Sequence, residues 1–282
     1  MKNIAVFGSG TMGNGIAHVF ALNGFQVQLF DKEETLLARA IQTISSNLDR
    51  QIKKNIITVE QKESTLQNIK TETLISNISK NTDLVIEAIV ENKLAKINLY
   101  NELLPLLNPN FILATNTSSI SITELAPKSH SDKFIGMHFM NPVPMMELVE
   151  IIKGHLTSEE TLSTIVSLSI ALKKKPVAVN DYPGFIANRI LMPMINEAIF
   201  ALYENVATAQ DIDQVMKLGM NHPMGPLALA DYIGLDVCLS IMEVLYSGFN
   251  DSKYRPCPLL KKMVASGNLG KKSGVGFYAY NT

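Results

Sequence analysis

Gly8-Ser9-Gly10-Thr11-Met12-Gly13 sets three glycines at G-x-G-x-x-G spacing, after the apolar run Ile4 to Phe7 and ahead of the helix-like stretch Met12 to Leu22. That pattern can hold a pyrophosphate. The first glycine makes a tight turn, the second lets backbone approach the phosphates, and the third lets helix and strand pack closely. Amides at the helix start then face the anion. Gly8, Gly10, Thr11, Met12 and Gly13 are therefore candidate dinucleotide contacts; the alternative is a glycine turn without a ligand. Asp31 ends the next strand-like run, near the ~20-residue offset of a ribose-binding carboxylate. A carboxylate there accepts from both ribose hydroxyls and repels a 2′-phosphate, which favours NAD over NADP. Lys32 beside it partly offsets the repulsion, and Asp31 could instead cap the following helix.

A second set of residues suits proton transfer. His138 lies between a strand run and the chain-reversing Asn141-Pro142-Val143-Pro144, so the returning strand Leu148 to Ile152 can bring Glu150 beside the ring. An imidazole takes and returns a proton near neutral pH, and a carboxylate on its other nitrogen fixes the tautomer. The plainer readings are a packed histidine and a surface ion pair. Ser118 follows the strand run Phe111 to Ala114, at the sheet edge where open α/β folds bind ligands. Its hydroxyl could meet a substrate oxygen, or one of Thr117, Ser118 and Ser119 could cap a helix. Asn188 falls one turn into a helix. Its amide can donate to charge developing on an acyl oxygen, or it can tie two domains together. Lys53-Lys54 ends a long helix, where a cation is welcome in any case; Lys54 could also meet a phosphate. Lys271-Lys272 could be a solvated turn, and the Met-rich stretch Met137 to Met146 reads as adaptable packing around an apolar pocket.

These residues need a scaffold that brings strand ends together. The first 180 or so residues alternate strand-like and helix-like segments. Val27 to Phe30, Leu84 to Ile86, Phe111 to Ala114, Phe134 to Gly136 and Val177 to Val179 read as strands. Leu36, Ala40, Ile44, Leu48 and Ile52 recur at i+4 spacing along one helix, and Thr58 with Gln61 resembles a capping box for another. The alternation predicts a Rossmann-type, mostly parallel, doubly wound sheet over residues 1–182. After Pro183-Gly184 the strand pattern stops. Phe185 to Tyr203, Ala209 to Leu218, Leu227 to Leu245 and Leu259 to Ala265 read as helices, which predicts a smaller all-helical domain over residues 183–282.

Longer motifs now carry a resemblance. Asp83 to Asn92 (DLVIEAIVEN), Ala114 to Ser119 (ATNTSS), His138 to Pro144 (HFMNPVP), Pro183 to Arg189 (PGFIANR), Pro223 to Pro226 (PMGP) and Gly270 to Gly274 (GKKSG) stand in the order found in the 3-hydroxyacyl-CoA dehydrogenases. The chain resembles that family along essentially its whole length, in particular its short bacterial type. The resemblance implies a homodimer formed through the helical domain, and a role in fatty-acid and butanoate metabolism. The implied reaction is reversible NAD-dependent oxidation of an (S)-3-hydroxyacyl-CoA, such as 3-hydroxybutanoyl-CoA, to the 3-ketoacyl-CoA. It assigns His138 as base, Glu150 as its orienting carboxylate, Ser118 to substrate and cofactor, and Asn188 to the thioester. Glu91, Lys96, Asn141 and Lys272 fall on cofactor-contact positions, and Lys54 and Asn47 on coenzyme A positions. Three departures stand out: Asn47 where a serine is common, Met140 where a Phe is usual, and Glu147 where a basic residue often precedes Leu-Val-Glu.

Composition bounds the alternatives. With 282 residues, 46% hydrophobic and 18% charged, the chain can bury a core without a staple. A formal net charge of -1 gives no broad affinity for nucleic acid or anionic membrane. No apolar run suggests a membrane span, and the start MKNIAVFGSG does not read as a signal peptide. Cys238 and Cys257 form no CxxC, so they supply no metal framework and suit a reducing, cytoplasmic setting. Two rival readings remain: a relative acting on a free hydroxy acid such as a sugar acid, and a non-catalytic dinucleotide sensor. The first has no use for Lys54, and the second none for Ser118, His138, Glu150 and Asn188.

Overall fold

The structure is a computed structural model that describes residues 1–280. It divides into two compact units, Met1–Asp181 and the chain from Tyr182 onward.

In the first unit eight strands form one sheet: β1 (Asn3–Phe7), β2 (Gln26–Phe30), β3 (Ile69–Glu72), β4 (Leu84–Glu87), β5 (Ile112–Thr115), β6 (Phe134–Phe139), β7 (Leu148–Lys153) and β8 (Lys175–Asn180). Their order is β3-β2-β1-β4-β5-β6-β7-β8. All pairs are parallel except β6 with β7. Six helices connect or flank the strands: α1 (Thr11–Leu22), α2 (Glu34–Lys53), α3 (Val59–Gln67), α4 (Lys93–Leu103), α5 (Ile122–Leu125) and α6 (Glu159–Ala171). The central strands read as apolar runs because both faces are covered: Ile4 to Val6, Leu84 to Ile86 and Leu113 to Ala114 are each at most 1% exposed.

The core face of α2 consists of Leu37, Ala40, Ile44 and Leu48, so the expected stripe begins one residue later than Leu36 and does not reach the half-buried Ile52. The capping box at Thr58 and Gln61 forms as expected. Strand β3 was not expected. Three of its four residues, Ile-Lys-Thr-Glu, are polar because it is an edge strand paired only with β2.

The second unit is helical: α7 (Ala187–Tyr203), α8 (Ala209–Gly219), α9 (Pro226–Ile233), α10 (Leu235–Phe249) and α11 (Pro258–Ala265). The single helix expected over Leu227 to Leu245 is two. Gly234, at φ +104°, ends α9 and starts α10, a conformation that favours glycine. A core of Met192, Ile195, Ile199, Leu227, Leu235, Cys238, Leu245 and Leu260 joins these helices. No helix among the described residues is long and apolar enough to cross a membrane.

Candidate active site

The carboxyl ends of β1, β2 and β4 open onto a cavity of about 1010 Å³. The three glycines of its floor have different tasks. Gly8 takes φ +96°, and a Cβ there would lie 2.5 Å from the Ala88 carbonyl oxygen. A Cβ at Gly13 would lie 1.7 Å from the Gly8 carbonyl oxygen, so α1 crosses this turn with no room for a side chain. A Cβ at Gly10 would meet nothing within 4 Å, and Gly10 lines the cavity. The surface left open there suits the close approach of a pyrophosphate. Thr11 also lines the cavity, whereas Met12 and Gly13 lie behind its wall.

Asp31 lines the same cavity. Its Oδ2 accepts from the Ser9 amide at 2.7 Å and the Ser9 hydroxyl at 2.6 Å, and its Oδ1 from the Lys32 amide at 2.8 Å. It does not cap α2, whose N-cap is Glu33. The carboxylate is thus held in place on the cavity wall at the carboxyl end of β2. Lys32, Arg39 and Asn47 stand along the wall, with Asn47 accepting from Arg50 at 3.1 Å. Lys54 is the exposed C-cap residue of α2 and is not part of the wall.

His138 and Glu150 face each other in register across the antiparallel pair β6 and β7. Directly opposed residues of two strands share a face, so the turn length decides that these side chains meet. The His138 Nδ1 lies 2.8 Å from Glu150 Oε2, with the residues 8% and 2% exposed. Burial at that level sets the pair apart from a surface ion pair. A carboxylate can only accept, so Nδ1 is the donating nitrogen of this pair.

Ser118 lies in the loop after β5, and this loop is anchored on Glu91. One oxygen, Oε1, accepts from the Thr117 hydroxyl at 2.5 Å, the Ser118 and Ser119 amides at 3.0 and 3.2 Å, and the Ser119 and Ser118 hydroxyls at 3.0 and 3.4 Å. Burial acts to raise the Glu91 pKa, but the Lys96 charge and these donors outweigh it and hold the carboxyl below its ordinary range. Helix capping falls to Ser121, which accepts from Glu124 and itself donates to Asp181. Asn116 joins this loop to the strand of the histidine by accepting from the Phe139 amide at 2.9 Å.

The turn after β6 contains a cis Asn141–Pro142 bond, and Asn141 lines the cavity. Buried Lys174 holds this turn, donating to the Val143 and Met146 carbonyls at 2.6 and 2.7 Å. Below it His18 is fully buried, and neither ring nitrogen has a hydrogen-bond partner among the described residues. Burial first, and then the Lys174 charge, push its pKa down to about 4. Within the Met-rich stretch Met137 is buried, but Met145 and Met146 are exposed, so only its first part is packing.

Sequence reasoning missed Lys174, His18 and Glu87. Lys174 hides inside the run Lys173-Lys174-Lys175, which reads as a solvated face. Glu87 did carry a signal: a carboxylate inside a buried strand run requires partners. Of the remaining expected residues, Lys96 is 1% exposed, with its ammonium 2.7 Å from Glu87 and 3.2 Å from Glu91. Asn188 is buried in the first turn of α7. Lys272 is ion-paired with Asp236 at 2.6 Å, and Lys271 lies over the Tyr232 ring, so these lysines are not merely solvated.

The family model "3-hydroxyacyl-CoA dehydrogenase, NAD binding domain" matches residues 3–182, and "3-hydroxyacyl-CoA dehydrogenase, C-terminal domain" matches residues 184–280. A probable 3-hydroxybutyryl-CoA dehydrogenase of Bacillus subtilis is 51% identical over 281 residues, covering 99% of this chain and 98% of its own. A 3-hydroxybutyryl-CoA dehydrogenase of Clostridioides difficile is 48% identical over 279 residues, covering 99% of each. The crystal structure of (S)-3-hydroxybutyryl-CoA dehydrogenase PaaH1 from Ralstonia eutropha superposes with a TM-score of 0.96 at 48% identity, covering 100% of both chains. With both family models together spanning almost every residue, the chain belongs to the 3-hydroxyacyl-CoA dehydrogenase family.

Proposed function

We propose that this protein interconverts short-chain (S)-3-hydroxyacyl-CoA, with 3-hydroxybutanoyl-CoA the expected substrate, and the 3-ketoacyl-CoA, using NAD. The observation that carries this reading is the buried His138–Glu150 pair, 2.8 Å apart, in the same unit as a glycine-floored cavity with a fixed carboxylate. Substrate oxidation removes a hydride from carbon and a proton from oxygen. Bound NAD supplies the hydride acceptor. Nε2 of His138 takes the hydroxyl proton and returns it in the reverse direction, while Glu150 steadies the imidazolium as it forms. Ser118 donates to the reacting oxygen from a loop that Glu91 holds in place. Asp31 receives the adenosine ribose hydroxyls and disfavours a 2′-phosphate. By the family resemblance Glu91, Lys96, Asn141 and Lys272 serve the cofactor, Asn188 the thioester, and Asn47 and Lys54 the coenzyme A phosphates. The homodimer belongs to the same reading, and the exposed apolar side chains Val215, Leu218 and Met220 of the helical unit support it.

The test follows NADH absorbance with acetoacetyl-CoA, with free acetoacetate and NADPH as parallel substrates. Fast oxidation with the thioester and NADH alone is expected. Equal rates with NADPH would overturn the role of Asp31. No turnover of the thioester by folded, NADH-binding protein would overturn the substrate.

A further inference from the structure

Glu87 ends β4 with no exposed surface, and four donors surround its carboxylate. Oε1 accepts from Lys96 at 2.7 Å and from the Ile89 amide at 2.8 Å. Oε2 accepts from the Tyr100 and Thr115 hydroxyls, both at 2.8 Å. Burying this charge is costly, and buried ion pairs add little net stability compared with apolar packing. The cluster therefore calls for another explanation, and its connections supply one.

Two paths run from Glu87 to the Ser118 loop. The first passes through Lys96. Its ammonium sits closer to Glu87, at 2.7 Å, than to Glu91, at 3.2 Å. Glu87 thus holds the cation back, and Glu91 keeps its other oxygen for the Thr117, Ser118 and Ser119 donors. The second path passes through Thr115. Its hydroxyl proton goes to Glu87, which turns the oxygen lone pairs to accept the Thr117 amide at 3.2 Å. Tyr100 closes the far side. Burial and the Glu87 charge raise its pKa well above the usual value, so it remains a donor.

We propose that Glu87 is a positioning residue for the Ser118 loop, acting through Lys96 and Glu91 and through Thr115. The role in turnover rests on the function proposed above; the role in ordering the loop does not. Glu87→Gln keeps the size and removes the charge. Lys96 then has one carboxylate left, and a free ammonium–carboxylate contact closes to about 2.8 Å. Glu91 is drawn toward Lys96 and away from the loop by a few tenths of an ångström.

Hydrogen exchange read by mass spectrometry tests the ordering directly. In Glu87→Gln, amide exchange over residues 117–119 is expected to quicken by roughly tenfold, because the Ser118 and Ser119 amides lean on Glu91 and the Thr117 amide on Thr115, while β1 and β5 stay protected. Equal quickening across β1, β4 and β5 would mean a merely structural role and would overturn the proposal, as would unchanged exchange at 117–119. A kinetic cycle with Ser118→Ala gives the second readout. With acetoacetyl-CoA, Glu87→Gln is expected to lower kcat by about tenfold or more with little change in the KM of the thioester. In the Ser118→Ala background the same substitution is expected to cost less than about twofold. Full additivity would overturn the proposal. Should Glu87→Gln fail to fold, Tyr100→Phe removes one donor without touching a charge and should give the same pattern at smaller size; no change at 117–119 in that variant would likewise overturn it. Inactive wild-type protein with the exchange pattern intact would refute the proposed reaction but not the positioning.

Discussion

His18 gives the sharpest pH test of the packing beneath the active site. Its folded pKa is about 4, against 6.5 for a free imidazole, because burial and the nearby Lys174 ammonium both oppose a second positive charge. Between those two values the unfolded chain binds more proton than the folded one, so unfolding free energy rises with pH across the window. The stability is therefore fully present above about pH 6.5 and is lost as the pH falls toward 4. At 1.36 kcal/mol per pKa unit the loss is about 2 kcal/mol by pH 5 and about 3 kcal/mol by pH 4. His18→Leu keeps a side chain of similar bulk and removes the titration. Urea unfolding followed by far-UV circular dichroism at pH 7.5, 6, 5 and 4.5 reads both proteins. The wild type should lose stability relative to the variant by about 2 kcal/mol between pH 7.5 and 5. The carboxyls held below their ordinary range, Glu91, Asp83 and Asp236, titrate in both proteins and cancel in the difference. Parallel pH curves for the two proteins would refute the reasoning, since they would mean that His18 gains its proton in the folded state as easily as in the unfolded one.

Lys174→Met should destabilise the first unit by about 1–3 kcal/mol, since the buried Val143 carbonyl loses a bond of 2.6 Å and an unsatisfied buried acceptor costs about that much, while the Met146 carbonyl, in an exposed residue, loses one of 2.7 Å. Its KM for NADH should rise as well, because Asn141 lies in the turn that Lys174 holds; an unchanged urea midpoint would count against the clamp. Gly13→Ala should weaken NADH binding by about tenfold or more in a fluorescence titration, because a Cβ 1.7 Å from the Gly8 carbonyl forces the phosphate turn and α1 apart. Wild-type affinity in that variant would show that the close crossing is not needed.

What the sequence reveals depends on how local the physics is. The glycine turn is legible because its requirements fall within six consecutive residues. His138 and Glu150 are legible for a related reason: a turn joins their strands, so a strand, a reversal and a strand already imply which side chains can meet. Asp31 is readable as a position but not as a held group, since its anchor, Ser9, comes from a different loop. The edge strand β3 escapes because a four-residue run with three polar residues carries no periodic signal. The break at Gly234 escapes because apolar spacing continues on both sides of it, and only a φ of +104° marks the turn.

The supporting charges are hidden for a deeper reason. A lysine in sequence looks like a solvated cation or a ligand contact, and its partners decide which. Lys96 meets Glu87 because β4 delivers a carboxylate to the sheet edge just where the first turns of α4 return above it. Lys174 meets two carbonyls because α6 and β8 bring it beneath a turn that belongs to β6 and β7. In both places a buried ammonium fixes a loop, through Glu91 the one that carries Ser118 and through two carbonyls the turn that carries Asn141. The two clamps differ in what they hold. Lys96 grips a carboxylate whose loss of charge would release a whole loop, so its effect should appear in turnover and local exchange. Lys174 grips backbone carbonyls, whose acceptor strength does not titrate, so its effect should appear in stability and cofactor affinity. That contrast makes the two variants, Glu87→Gln and Lys174→Met, controls for one another: faster exchange at residues 117–119 with a kcat loss in the first, and lost stability with unchanged exchange at 117–119 in the second, is the pattern that separate clamps require.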